Sequence, residues 1–174
     1  MPAEAPSPDE PVIPGTLLEV AGLGVLLRGE SGVGKTDLAL SLLDRGHCLI
    51  VDDAVALTPR EGRLRGHAPA ALRGLVAVRG LGVLPVQRLF DGSRLKDGCD
   101  IDLVIDLDPA PPGPDPLAVE HDSVTIEGVA IPRLRLPLGR DRDRALLIEL
   151  AVKAERLRRD GWNAAQALAV MGGE

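Results

Sequence analysis

Aromatic side chains are nearly missing from this chain: Phe90 and Trp162 are the only two among 174 residues, and there is no tyrosine. A core without rings must be built from Leu, Val, Ile and Ala. Platforms that stack single-stranded bases on aromatic faces are disfavoured as well. Cysteine is equally scarce. Cys48 and Cys99 are the only two and form no CxxC pair, so neither a disulfide framework nor a thiolate metal cage is indicated. A reducing, cytoplasmic compartment is the expectation. His47, His67 and His121 show no metal-ligand spacing among themselves. No apolar run reaches the roughly 18 residues of a membrane span. The opening MPAEAPSPDEP carries proline and acid, where an export signal carries a cation and then an apolar stretch. Positive charge is in deficit, 20 Lys and Arg against 26 Asp and Glu, a net charge of −6. That balance argues against a chain built to grip nucleic acid or an anionic membrane.

What the chain does have is aliphatic residues and turns. Hydrophobic residues make up 45%, a globular proportion, and the length suits one ordinary domain. Twenty glycines and 15 prolines mark a loop-rich chain with several turns that depend on backbone geometry. Residues 1–11 are expected as a disordered tail. Beyond them the pattern predicts strands at Thr16–Val20 and Val25–Arg28, a helix from Lys35 to Asp44 closed by Arg45-Gly46, and a strand at His47–Val51. Residues 25–53 thus read as one strand–helix–strand unit. Further strands are expected at Arg63–Gly66, Val76–Val78, Ile101–Leu107, Val124–Ile126 and Val129–Leu138. A short helix is expected over Pro69–Leu75, an extended loop over 108–116, and helices from Asp143 to Met171 broken at Gly161. The fold class is α/β, with a mixed sheet and C-terminal helices.

The strongest chemical signal is Gly29-Glu30-Ser31-Gly32-Val33-Gly34-Lys35-Thr36, the GxxxxGKT phosphate loop, set between an apolar strand and a helix. Glycines let successive N–H groups turn inward on phosphate oxygens, and the helix that opens at Lys35 adds its positive end. In such a loop the lysine reaches the β- and γ-phosphates and the Thr36 hydroxyl faces Mg²⁺. Asp52 and Asp53 end the following strand, the place where open α/β sheets hold ligands. One carboxylate there suits Mg²⁺. Two adjacent acids repel each other, which fits one of them to take up a proton. Asp100, Asp102, Asp106 and Asp108 alternate with apolar residues and read as an exposed strand face. Arg156, Arg158 and Arg159 read as a solvated helix face. Arg140 is either a phosphate contact or half of a surface ion pair.

Taken together these segments resemble the C-terminal catalytic domain of the HPr kinase/phosphorylase family. The likeness runs over about residues 12–168 of an expected catalytic domain at 12–174. It is carried by Gly22–Arg28 entering the phosphate loop, by Asp44-Arg45-Gly46-His47 leading to Asp52-Asp53, and by Val78-Arg79-Gly80-Leu81-Gly82-Val83. Val129–Arg133 with Gly139-Arg140, and Ile148–Ala151 running to Gly161–Ala164, complete it. The resemblance implies a P-loop kinase fold similar to phosphoenolpyruvate carboxykinase, in a short form without an N-terminal domain. It implies ATP and Mg²⁺ as cofactors, phosphorylation of a serine on the phosphocarrier HPr, reverse phosphorolysis giving pyrophosphate, and assembly as a homo-oligomer, a hexamer in the family. Carried across, Gly29, Glu30, Ser31, Gly32, Val33, Gly34, Lys35 and Thr36 hold the nucleotide. Asp52 is the base, Thr36 serves the metal, Asp53 supports the metal or the base, Lys35 takes part in the transfer, and Arg79 and Arg140 steady phosphate charge.

Two positions depart from the family pattern. Pro14 stands where the family usually has histidine, and Ala77 where it usually has glutamate two residues before Arg79. Each loss is of a kind that costs on the order of 10²–10³ in rate. The proline-rich 108–116 stretch also replaces a family loop near the acceptor site. Two other readings therefore stand beside active HPr phosphorylation: a nucleotide-binding regulatory module with weak transfer, and a kinase for a different acceptor.

Overall fold

A computed structural model of the chain describes residues 9–110, 114, 117, 121–139 and 142–172. The elements in chain order are β1 (Val12–Pro14), β2 (Thr16–Val20), β3 (Leu23–Arg28), α1 (Lys35–Asp44), β4 (Cys48–Val51), β5 (Ala54–Arg60), β6 (Arg63–His67), β7 (Leu75–Val78) and β8 (Gly82–Pro85). They continue with the single-turn α2 (Val86–Leu89), β9 (Gly98–Asp100), β10 (Leu103–Asp108), β11 (His121–Ile126), β12 (Val129–Pro137), α3 (Arg144–Arg159) and α4 (Ala164–Met171).

The most apolar segments build a six-stranded mixed sheet in the order β11-β12-β10-β3-β2-β4. β10 is parallel to both β3 and β12, and β2 is antiparallel to β3 and β4. β2, β3, β4 and β10 are covered on both faces, which is why they read as nearly continuous apolar runs, whereas the edge strand β11 stays largely exposed. The pleat divides their side chains between two cores. Leu103, Ile105 and Leu107 turn to the helical side, with Leu38, Leu42 and Leu43 of α1 and Ile148 and Val152 of α3. Val104, Leu17 and Leu26 turn the other way, onto Val55, Leu57 and Leu64 of a four-stranded antiparallel sheet, β1-β5-β6-β9. Both cores are aliphatic, as the shortage of rings requires. Phe90 is only partly buried, and Trp162 stands 58% exposed at the α3–α4 joint.

The strand–helix–strand unit over 25–53 is present, but its strands are not neighbours, because β2 lies between β3 and β4. The helix expected over Pro69–Leu75 shrinks to a 3₁₀ turn at Ala70–Leu72, since Leu75 leaves to pair with Pro85 in the β7–β8 hairpin. β1, β5, β8 and β9 have no counterpart among the strands expected from the sequence. Of the expected tail, residues 1–8 lie outside the described residues. Glu10 accepts the Thr58 hydroxyl at 2.6 Å, and the Pro11 carbonyl accepts the Leu57 N–H at 2.9 Å. Most of the 108–116 stretch is likewise outside the described residues.

The acids read as an open face are engaged instead. Asp106 pairs with Arg28 at 2.7 Å, Asp108 with Arg135 at 3.0 Å and Asp100 with Arg63 at 2.7 Å, while Asp102 accepts the Gly24 N–H at 2.9 Å. Arg156 is exposed as expected, but Arg158 and Arg159 close on Glu155, 1% exposed, at 2.8 and 2.9 Å. Burial pushes the Glu155 carboxyl up; the two guanidiniums outweigh it and hold the group below its ordinary value.

Candidate active site

β3 ends at Arg28 and α1 begins at Lys35, so residues 29–34 form the connecting glycine loop. The loop folds on itself through the Val33 N–H, which donates to the Glu30 carbonyl at 3.1 Å. Gly34 caps α1 at φ 104°, in the left-handed region that side chains with a Cβ rarely adopt. The turn therefore delivers the chain into the helix with the first-turn N–H groups open to the cleft. Lys35 lies back across the loop, its ammonium donating to the carbonyls of Gly29 at 2.7 Å and Glu30 at 3.1 Å.

Thr36 donates its hydroxyl to Asp52 Oδ2 at 2.8 Å. The other oxygen of Asp52 accepts the hydroxyl of Thr16 at 2.7 Å. Asp52 is 5% exposed and Thr16 wholly buried, so the three side chains form a sheltered link between β2, the end of β4 and α1. With its hydrogen committed to Asp52, the Thr36 oxygen keeps its lone pairs for the cleft. Thr16 was not singled out from the sequence. Its one signal there is a hydroxyl among the apolar residues of Thr16-Leu17-Leu18-Glu19-Val20.

Asp53 is held differently. Its φ is +74°, and the Ala54 N–H donates to the Asp52 carbonyl at 3.0 Å, closing a γ-turn centred on Asp53. Aspartate is one of the few residues that tolerates this region, and strain of this kind clusters at functional sites. The Asp53 carbonyl accepts the Gly15 N–H at 3.1 Å, which ties the turn to the end of β1. Its carboxylate is exposed and has no partner among the described residues.

These groups surround a cleft of about 390 Å³. Gly29, Ser31, Gly32, Gly34, Lys35, Thr36, Asp52 and Asp53 all line it, together with Arg79 from the β7–β8 hairpin. Glu30 and Val33 belong to the loop without facing the cleft. Arg140 lies outside the described residues. Pro14 and Ala77 line the same cleft, so one wall presents a pyrrolidine ring and a methyl group. Among the described residues no three or more His, Cys, Asp or Glu are grouped so as to hold a metal ion by themselves. The side-chain oxygens lining the cleft are the hydroxyls of Ser31 and Thr36 and the carboxylates of Asp37, Asp52 and Asp53, a set that fits Mg²⁺ shared with phosphate and water rather than a closed protein cage. No helix of the described residues is long and apolar enough to cross a membrane.

A family model described as the HPr Serine kinase C-terminal domain matches residues 8–171. The HPr kinase/phosphorylase of Caldicellulosiruptor bescii is 41% identical over 157 residues, 88% of this chain and 50% of its own length. That of Thermoanaerobacter sp. strain X514 is 38% identical over 159 residues, covering 90% and 52%. The chain thus spans about half the length of these curated relatives. A solved structure of the Hpr(Ser) kinase/phosphatase from Coxiella burnetii superposes with a TM-score of 0.81 at 30% identity, over 91% of this chain and 98% of that one. On the extent of these matches, the chain belongs to the family of the HPr serine kinase C-terminal domain.

Proposed function

We propose that this domain transfers the γ-phosphoryl group of ATP to a serine of an HPr-type phosphocarrier, and that it runs the reverse phosphorolysis as well. The observation that carries this reading is the Thr16–Asp52–Thr36 link beside the glycine loop, with the unpartnered Asp53 carboxylate in the same cleft. The loop amides and the start of α1 bind the polyphosphate, and Lys35 exchanges the Gly29 and Glu30 carbonyls for phosphate oxygens. Thr36, backed by Asp52, would hold Mg²⁺, which when bound neutralises charge on the phosphate oxygens. Asp53 takes the proton of the acceptor hydroxyl as its oxygen bonds to phosphorus and the bond to the ADP oxygen breaks. In reverse, Asp53 returns that proton to the seryl oxygen while inorganic phosphate attacks and leaves as pyrophosphate. Arg79, and Arg140 by the family pattern, neutralise developing charge.

The resemblance assigns the base to Asp52 and gives Asp53 a supporting role at the metal or the base. The hydrogen bonds favour Asp53 as the base: both Asp52 oxygens already accept hydroxyls, and those of Asp53 accept none. A cytoplasmic homo-oligomer is the accompanying proposal. It is supported by α4, which buries none of its residues and exposes Leu168, Val170 and Met171.

The test is incubation with ATP, Mg²⁺ and an HPr protein. Phosphoserine is expected to form, and Asp53→Asn to abolish it while nucleotide binding persists. Nucleotide uptake with no phosphoserine sinks the reading. In that case the second reading stands, a nucleotide-binding regulatory module, which is favoured by Pro14 and Ala77 both lining the cleft. It expects Pro14→His with Ala77→Glu to raise transfer by about 10² or more.

A further inference from the structure

Two arginines approach the glycine loop from different elements. A Cβ built on Gly32 meets an Arg79 guanidinium nitrogen at 3.5 Å, and one built on Gly34 meets that of Arg144 at 3.3 Å. Arg79 comes from the β7–β8 hairpin and Arg144 is the first residue of α3, so the two guanidiniums stand over alternate residues of the loop. Elsewhere arginines such as Arg28, Arg45, Arg63 and Arg158 close on carboxylates. Arg79 and Arg144 pair with no carboxylate among the described residues.

Arg144 is also placed against local electrostatics. It opens α3, whose first turn contains no acid, and a cation at a helix N-terminus opposes the helix dipole. Its neighbour on the loop side is Gly34, the N-cap of α1 and so a second positive helix end. The Asp143 carboxylate beside it is used elsewhere, accepting the Leu146 N–H at 3.0 Å and facing Arg45 at 3.6 Å. Cations so arranged repel one another until an anion lies between them, and a guanidinium offers forked donors that match phosphate oxygens.

We infer that Arg144 is a phosphate-binding residue of this cleft, gripping a linked polyphosphate from the Gly34 side while Arg79 grips it from the Gly32 side. Two residues of chain span at most about 7 Å, so both guanidiniums stand within reach of one polyphosphate lying along the loop. This deepens the proposed function and rests on it.

Calorimetric titration of the full chain with ADP, pyrophosphate and inorganic phosphate tests it, on wild type, Arg144→Ala and Arg144→Lys. Arg144→Ala is expected to weaken ADP and pyrophosphate by about 10- to 100-fold, to change inorganic phosphate by less than threefold, and to be partly rescued in Arg144→Lys. Arg144 is exposed, so the alanine variant keeps the fold. Equal ADP affinity in wild type and Arg144→Ala overturns this inference alone. Failure of wild type to take up ADP overturns the proposed function and this inference together. An equal loss for all three anions also overturns the inference, because it marks a general field effect rather than a grip on linked phosphates.

Discussion

Thr16 is a hydroxyl at the start of a strand whose next two residues, Leu17 and Leu18, are wholly buried. It is kept there by one oxygen of Asp52. Thr16→Val preserves shape and removes the donor, leaving Oδ1 of a buried carboxylate unsatisfied. The expected cost is about 1–3 kcal/mol in urea unfolding. Since Asp52 also sets the Thr36 hydroxyl, the variant is expected to lose nucleotide affinity with Mg²⁺ present and little of it in EDTA. An equal loss in both conditions would show that Thr16 supports the loop rather than the metal side. The Asp53 turn was beyond sequence reading for a related reason. Asp52-Asp53 is visible as a pair, but which member is saturated by hydroxyls and which stands at a left-handed γ-turn depends on contacts with residues 36 and 16 positions away.

At the scale of elements, α1 and α3 are fastened by a clamp distant in sequence. Arg45 donates to both oxygens of Glu149, at 2.9 and 2.6 Å, and His47 Nε2 lies 2.7 Å from the same carboxylate. His47 Nδ1 accepts the Ala21 N–H at 3.3 Å, so the proton of a neutral ring sits on Nε2, facing Glu149. The Arg45 guanidinium first, and His47 second, pull the Glu149 carboxyl from 4.5 down to about 2. A carboxyl depressed on folding stabilises the fold above its unfolded value, and that stabilisation is lost as pH falls through the folded one. Glu149→Gln is therefore expected to lower Tm at neutral pH, with the gap to wild type narrowing from about pH 4.5 downward. A gap independent of pH would mean that the clamp works by packing. The elements themselves were largely legible. The boundaries of β2 and α1 match the apolar spacing, and the α3–α4 break falls beside Gly161. β5 was not legible, because Ala54-Val55-Ala56-Leu57-Thr58-Pro59-Arg60 mixes small, polar and proline residues that only its pairing with β1 and β6 makes into a strand.

For the whole molecule, the chain announces two-sided burial through its apolar strands but not the strand order. Nothing local in Thr16–Val20 says that it inserts between β3 and β4, because that pairing is settled by which core each side chain enters. The ion pairs on β9 and β10 were hidden for the same reason: Arg28, Arg63 and Arg135 come from three other strands. The C-terminal end is energetically separate from this arrangement. α4 contributes no buried residue, so a chain ending after Trp162 is expected to keep its unfolding free energy within about 1 kcal/mol while its sedimenting mass drops. An unchanged mass would place any self-association elsewhere.

The chain's lone indole sits outside both cores, at the hinge between α3 and α4. Its emission is then a poor witness to denaturation, since the ring is already wet in the native state. Anything that covers the C-terminal helix, by contrast, should shift that emission to the blue. Fluorescence of this protein reports on what docks at its end, and its folding has to be followed by the backbone.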